Sequence, residues 1–170
     1  MVWHTLLRWL HGPARKPRLL AIYTSECAGG PIRARDAVEA VAGRGLAGDR
    51  YWLGTGHWHR VESCEVTLIT EEDLRRARRR LDVALDQGQH RRNLVLSGIR
   101  TRDLQGHRFR IGAARFAFLK PRPPCGHLNQ VSGENLAKAL GHNSGICLSI
   151  LESGIIRVGD TLVLEPPEHD

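Results

Sequence analysis

The sequence lacks the features that identify several common classes of protein. No run of ~18 apolar residues is present, which excludes an ordinary membrane-spanning helix. No G-x-x-x-x-G-K-S/T motif occurs, and the glycine-rich loop Gly43–Gly48 only loosely resembles a phosphate-binding loop. Aromatic residues make up only 5% of the chain, so its core must be built mostly from Leu, Val, Ile and Ala.

Cysteine is also scarce. The four cysteines, Cys27, Cys64, Cys125 and Cys147, form no CxxC pair and match no zinc-ribbon spacing. No secretory signal is evident, so we expect a cytoplasmic protein in a reducing compartment, without disulfides. Cys147 lies in the apolar segment ICLSI and is predicted to belong to the core. Cys27 and Cys64 flank strands, and we interpret both as structural.

Acidic residues are outnumbered by basic ones. The chain has 25 Lys and Arg against 18 Asp and Glu, a formal charge of +7. Most of the excess lies in residues 71–122, with 14 Lys and Arg against 6 Asp and Glu. Arginine dominates this segment, which favours bidentate recognition of phosphate or carboxylate. An anionic small molecule is therefore a candidate ligand, and nucleic acid is an alternative.

The length and the 41% hydrophobic content are sufficient for one domain with a core. We divide the chain into an N-terminal extension (1–17), a single domain (18–165) and a C-terminal tail (166–170). Within the extension, residues 2–10 place apolar side chains at helical spacing. Such a short amphipathic helix could contact a membrane surface, or it could pack on its own domain or on a neighbouring subunit.

Within the domain, short strands predominate. Thr70 begins T-E-E-D and predicts the start of a helix, since an acid follows three residues later. A second helix is predicted over 132–141, with a serine before it and a glycine after it. Strands are predicted at 18–25, 65–70, 93–99, 108–118, 146–151 and 155–164. The fourth has a turn or bulge at Gly112-Ala113, and the last is broken by a turn at Val158-Gly159-Asp160. This order indicates a mainly β fold with a few helices, in a closed or nearly closed β-barrel with helices at its ends.

Cys125 is the strongest candidate for chemistry. It lies in P-R-P-P-C-G-H-L (121–128), where two prolines exclude a helix before it and a glycine permits close approach after it. A thiolate is a nucleophile, a soft metal ligand and a sulfur carrier. We therefore interpret Cys125 as a thiol presented on an irregular loop, with Arg122 and His127 nearby in sequence.

Two other uses of these residues are weaker. Cys125 and His127 could act as nucleophile and base of a hydrolase, but no cysteine-protease signature is present. A zinc site could use Cys125, His127 and a distant histidine, or His57 and His59, but neither set matches a familiar ligand spacing.

A second polar cluster, Arg91-Arg92-Asn93, precedes a predicted strand. Its guanidinium groups and amide could hold a phosphate and one edge of a ring. The alternative is a turn closed by ion pairs and an Asn cap.

The sequence resembles the MOSC domain, the C-terminal domain of molybdenum-cofactor sulfurases, in the order of several motifs. The resemblance covers about residues 18–165. It depends on G-L-A-G-D-R-Y (45–51), H-R-R-N-L-V-L (90–96), P-P-C-G-H-L (123–128) and G-I-I-R-V-G-D (154–160). It implies a MOSC-type, barrel-like β fold with one functional cysteine in a cleft.

The resemblance also implies a function. Cys125 would carry persulfide sulfur or bind the molybdenum of a molybdopterin cofactor. Arg91, Arg92, Asn93 and His127 would bind the cofactor. The chain would then be a sulfur carrier or sulfurtransferase, or a molybdenum-dependent reductase of N-hydroxylated compounds. Because 170 residues leave no room for a pyridoxal-phosphate domain, we expect a separate cysteine desulfurase or electron-donor protein as partner.

Two other functions remain open at this point. The chain could be a non-catalytic module that binds a phosphorylated or nucleobase ligand through Arg91, Arg92 and Asn93. It could also bind nucleic acid through the arginine-rich helix after Thr70, but an exposed run of arginines is more often a solvated surface, so we do not expect nucleic acid.

Overall fold

The computed structural model of the protein describes residues 16–57, 63–133 and 135–166. The predicted N-terminal helix over residues 2–10, His59 and nearly all of the C-terminal tail lie outside these ranges.

The described residues form short strands and short helices. The strands are β1 (Arg18–Thr24), β2 (Arg33–Arg35), β3 (Ala37–Val41), β4 (Gly45–Leu46), β5 (Val66–Thr70), β6 (Leu94–Ser97), β7 (Arg108–Ile111), β8 (Ala114–Pro121), β9 (Ile146–Glu152), β10 (Gly154–Arg157) and β11 (Leu162–Leu164). The α-helices are α1 (Arg50–Leu53), α2 (Glu71–Arg80), α3 (Gly126–Ser132) and α4 (Leu136–Leu140).

The strands form one large sheet and one small one. The large sheet has the order β11-β7-β8-β9-β5-β6-β1-β2, and the small one the order β10-β3-β4. The prediction of a mainly β fold is therefore confirmed. The large sheet does not close into a complete barrel. The edge strand β11 does approach the start of β1, because Arg18 bridges Thr161 and the Leu162 N–H donates to the Pro17 carbonyl at 2.8 Å.

β5 lies in the middle of this architecture, between β6 and β9, and all five of its residues are buried. Its alternate side chains enter two separate cores. Leu68 packs in the core of the curved sheet, and Ile69 packs in the core beneath α2 and α4. Burial on both faces explains why this strand contains no charged residue, and its two threonines are both hydrogen-bonded.

The α2 prediction is confirmed, with Thr70 at the position before the helix. The Thr70 hydroxyl donates to Asp73 at 3.2 Å, so it binds the acid of the predicted capping box and not a backbone N–H.

The helix predicted over 132–141 is wrong in its bounds. Gly133 and Asn135 both have positive φ, which ends α3 and delays the start of α4 to Leu136.

The expectation of a chain without disulfides is also wrong. Cys64 and Cys147 are paired as a disulfide, with Cα atoms 5.3 Å apart. Cys147 is on β9 opposite Thr67 of β5, and Cys64 lies just before β5. The register of this strand pair therefore brings together two cysteines that are 83 residues apart. Cys147 is fully buried, as predicted.

No helix among the described residues is long and apolar enough to cross a membrane.

Candidate functional site

A cleft of about 440 Å³, measured with its open mouth, lies where α1, α3 and the segment before β6 meet. The cleft is lined by Ala28, Gly29, Arg50, Tyr51, His57, Arg91, Arg92, Arg122, Cys125, His127, Leu128 and Val131. Most of this volume is open to solvent, and the space that water-sized molecules can enter is about 40 Å³. Cys125, Arg91, Arg92 and His127 had each been predicted as site residues, and the fold brings them together here.

Cys125 is a free, partly buried thiol at the position that precedes α3. The prolines before it keep the chain extended, and the helix begins at the next residue, Gly126. The loop predicted around Cys125 is therefore shorter than expected, because the residues after it are helical. Cys27, the other free cysteine of the described chain, is exposed and directly precedes Ala28, which lines the cleft.

Arg91 and Arg92 are both buried beneath the cleft. Arg91 donates to the Gly30 carbonyl at 3.0 Å and to the Ser25 hydroxyl at 3.4 Å. Its φ of 56° is in the left-handed region that residues other than glycine seldom adopt. Arg92 donates from Nε to the Ser144 carbonyl at 2.6 Å and from Nη2 to the Ser144 hydroxyl at 2.7 Å. These neutral partners fix the direction of each guanidinium without neutralising its charge.

Arg50 adds a further buried cation that the sequence analysis did not identify. It pairs with Asp49 at 3.2 Å and donates to the Arg91 carbonyl at 3.0 Å, which connects α1 to the segment before β6. Asp49 is fully buried and also accepts the Ser25 N–H at 2.9 Å. The signal for Arg50 was present in the motif G-L-A-G-D-R-Y, where Asp49 caps α1 and orients the next residue.

The electrostatic balance of the cleft is strongly positive. Among the described residues, neither Arg91 nor Arg92 has a carboxylate within ion-pair distance, and Asp49 pairs with Arg50. Burial, followed by the charge of Arg122, lowers the pKa of Arg92 to about 10. Burial and the charge of Arg50 also lower the pKa of Arg91. Cations that destabilise one another in this way favour an anion among them.

The histidine predicted as a site residue has an aromatic partner. The rings of His57 and His127 stack with centroids 3.9 Å apart and planes 10° apart. Burial and the neighbouring His57 lower the pKa of His127, and the charge of Arg91 acts in the same direction. Among the described residues, no three His, Cys, Asp or Glu side chains are grouped closely enough to hold a metal ion. The zinc site considered from Cys125 and His127 is therefore not formed by this part of the chain.

Asn93 lies behind the cleft and is not among the residues that line it. Its Oδ1 accepts from the Thr67 N–H and hydroxyl, and its Nδ2 donates to the Tyr23 carbonyl at 3.1 Å. These bonds hold the residue before β6 against β1 and β5, so Asn93 fixes the chain directly after Arg91 and Arg92. Its predicted contact with a ligand stays a prediction.

Comparisons with known proteins agree with this architecture. The sequence profile of the MOSC domain matches residues 55–163. The crystal structure of the YuaD protein from Bacillus subtilis is similar, with a TM-score of 0.68 and 17% identity, over 86% of this chain and 94% of that one. YiiM from Geobacillus stearothermophilus has a TM-score of 0.65 and 20% identity, over 88% of this chain and 75% of that one.

YiiM from Escherichia coli is also similar, with a TM-score of 0.61 and 20% identity, over 90% of this chain and 72% of that one. No curated protein matches the chain in sequence. At these identities the structural likeness supports the fold, and the sequence profile supports the family.

Proposed function

The chain belongs to the MOSC domain family, whose members generally bind molybdenum cofactor, and we propose that it binds this cofactor in the cleft with Cys125 as the ligand to molybdenum. The observation that carries the proposal is the presence of a free thiol and four arginines on one cleft.

The arginines fit the anionic part of such a cofactor. Arg50, Arg91, Arg92 and Arg122 line the cleft. Among the described residues, the hydrogen bonds of the Arg91 and Arg92 side chains go only to neutral oxygens. Guanidinium groups bind phosphate in a bidentate manner, and buried ones bind it more strongly because water is excluded. Folding therefore sets these cations in place before a ligand arrives.

The thiol fits the metal. Soft thiolate ligands suit metals that accept sulfur. Cys125 and Arg92 line the same cleft. His127 follows two residues later in α3 and would contact the cofactor beside the thiol.

Two chemistries use this arrangement. In sulfur transfer, the Cys125 thiolate would attack the terminal sulfur of a persulfide on a separate cysteine desulfurase, whose cysteine would leave as a thiolate. In reduction, the bound molybdenum would supply the redox chemistry for N-hydroxylated compounds, and a separate protein would supply the electrons. The chain's own residues would bind the anion, hold the thiol and position the substrate in both cases.

A simpler function is a non-catalytic module for a phosphorylated or nucleobase ligand. The pair of arginines held by Gly30, Ser25 and Ser144 supports it, because this pair needs no thiol to bind an anion. That function predicts that Cys125→Ser binds ligand as well as the wild type.

The test is the metal and pterin content of protein purified from a host that makes molybdenum cofactor. We expect near-stoichiometric molybdenum in the wild type and its loss in Cys125→Ser. Cys27→Ser is the matched control, because Cys27 is the other free cysteine of the described chain and is exposed. Molybdenum retained in Cys125→Ser, or absent from the wild type, would overturn the proposed role of the thiol as metal ligand.

Persulfide on Cys125, measured by mass spectrometry after incubation with a desulfurase and cysteine, would then favour sulfur transfer. Turnover of an N-hydroxylated base by the loaded protein would favour reduction.

A further inference from the structure

Ser144 holds the Arg92 guanidinium at two points. Its carbonyl accepts a hydrogen bond from Nε at 2.6 Å, and its hydroxyl accepts one from Nη2 at 2.7 Å. Ser144 is fully buried and lies two residues before the start of β9. A planar group that is held at two of its nitrogens by one buried residue has a fixed orientation.

These two bonds decide which edge of the guanidinium is left for a ligand. An arginine side chain has five N–H donors, one on Nε and two on each Nη. Ser144 occupies the Nε–Nη2 edge, and Nη1 has no hydrogen-bond partner among the described residues. Because Arg92 lines the cleft, its Nη1–Nη2 edge can donate two parallel bonds to the oxygens of one anion.

The turn that contains Ser144 also holds the chain that leads to the thiol. The carbonyl of the next residue, Gly145, accepts the Arg122 N–H at 2.8 Å. Arg122 lines the cleft and lies three residues before Cys125. One short turn therefore fixes both the buried cation and the segment that ends in the thiol. For a ligand that reaches both, this turn sets the distance between its two anchoring points.

We propose that Ser144 is a positioning residue that orients the Nη1–Nη2 edge of Arg92 toward a phosphate group in the cleft. This inference rests on the proposed function, because the cleft must first bind an anion. Ser144 is not among the described residues that line the cleft, so it acts through Arg92. A neutral acceptor suits this role, since a carboxylate in its place would weaken the attraction between the guanidinium and the ligand.

The affinity for a small phosphate ester tests this role. Ribose 5-phosphate is the probe, and titration calorimetry measures its binding. Ser144→Ala removes one of the two bonds to the guanidinium, and we expect it to weaken binding about tenfold, because a hydrogen bond to a charged group is lost. Ser144→Thr keeps the hydroxyl and should bind within about twofold of the wild type.

Thr101 provides a matched control for the loss of a buried hydroxyl. It follows β6 and is 4% exposed, and its hydroxyl accepts the Thr70 N–H and donates to the Thr70 hydroxyl, both at 3.2 Å. Thr101→Ala should lower the urea midpoint of unfolding, as Ser144→Ala does, and leave the affinity for ribose 5-phosphate unchanged. A merely structural role for Ser144 would make the two variants alike in both measurements.

A double variant shows whether Ser144 acts through Arg92. When it is added to Arg92→Met, Ser144→Ala should cause no further loss of affinity, because the group that Ser144 orients is already absent. A further loss in the double variant would overturn the positioning role. So would weak binding by a Ser144→Thr protein that is as stable as the wild type.

The failure of this inference is distinguishable from that of the proposed function. If the wild type binds ribose 5-phosphate and Ser144→Ala binds it equally well, only the positioning role of Ser144 fails. If the wild type does not bind ribose 5-phosphate, the anion-binding function of the cleft fails, and the positioning role fails with it.

Discussion

Arginine is concentrated in two regions of the molecule, the outer face of α2 and the cleft around Cys125. On α2, Arg75 and Arg78 pair with Glu71, and Arg76 pairs with Asp73. The Arg75 side chain is 63% exposed. In the cleft, Arg92 is 6% exposed and binds only the neutral oxygens of Ser144 among the described residues.

This difference shows which positive charges are available for function. An exposed arginine with a carboxylate nearby is satisfied by water and its partner, and it contributes little to stability. A buried arginine without a carboxylate is costly to the folded chain, and an anionic ligand can offset that cost. The location of unbalanced buried charge therefore indicates a ligand more reliably than the number of arginines does.

The two regions should differ most in ligand affinity when one arginine of each is replaced by methionine. Arg92→Met should lower the affinity for ribose 5-phosphate by at least about 100-fold, because a buried charged contact to the ligand is lost. Arg79→Met, at an exposed position of α2, should change it by less than about twofold. Titration calorimetry measures both.

The stability of the same variants sharpens this result. Arg92→Met should lower the free energy of unfolding by no more than about 2 kcal/mol, since the lost bonds to Ser144 are offset by removal of a buried charge. A similar affinity loss in both variants, or a loss of about 3–5 kcal/mol of stability in Arg92→Met, would contradict the distinction between the two regions.

Gly145 gives the next largest effect, through the backbone beside Arg92. Its φ is +106°, and an added Cβ would lie 2.5 Å from the Leu68 carbonyl oxygen and 3.2 Å from Arg92 Nε. Gly145→Ala should therefore destabilise the protein by about 2–3 kcal/mol and displace the guanidinium. Gly106→Ala is the control, with φ of +77° and nothing within 4 Å of the added atom. Gly106→Ala should lower the free energy of unfolding by only about 1–2 kcal/mol. An equal loss of stability in Gly106→Ala and Gly145→Ala would argue against close packing at Arg92.

His90, which directly precedes Arg91 and Arg92, should make the stability of the protein decrease in acid. Burial, followed by the charges of Arg92 and Arg78, lowers the pKa of this histidine to about 3. Between about pH 6.5 and 3 the unfolded chain binds a proton that the folded one does not, so stability falls as the pH falls. From about pH 7.5 to 5 this loss is about 2 kcal/mol.

His90→Gln keeps an acceptor for the Arg92 N–H, which now donates to His90 Nδ1 at 3.0 Å. The free energy of unfolding is measured in urea at about pH 7.5 and about pH 5. Between these values it should fall by about 2 kcal/mol less in this variant than in the wild type. His107→Gln, at an exposed turn, is the matched control and should behave as the wild type does. An unchanged pH dependence in His90→Gln would show that another group is responsible.

Much of the fold was predictable because local pattern and burial agree. The apolar runs of β5, β6 and β9 and the acidic start of α2 were all identified from the sequence. β2 and β3 were not, since their residues are largely exposed or only partly buried and their pattern is weak. The break between α3 and α4 was missed because the positive φ of Asn135 depends on tertiary context.

The candidate site was predictable only in part. Cys125, Arg91, Arg92 and His127 were identified, because proline, glycine and paired arginines leave a local signal. Arg50 was missed, since its approach to Arg91 depends on a contact between residues 41 positions apart. The disulfide between Cys64 and Cys147 was missed for the same kind of reason, because strand register determines which cysteines meet.

The smallest effect should come from the α2 surface itself. Arg75→Ala removes an i,i+4 ion pair with Glu71, whose Nε–Oε1 distance is 3.1 Å. The loss in the free energy of unfolding should be about 0.3–0.5 kcal/mol at low salt and should disappear near 1 M salt, where the screening length is about 3 Å. Arg79→Ala, which removes an arginine with no carboxylate partner among the described residues, is the control. If the Arg75 loss persisted in high salt, this side chain would stabilise α2 by packing, and the contrast with the buried arginines of the cleft would be one of degree only.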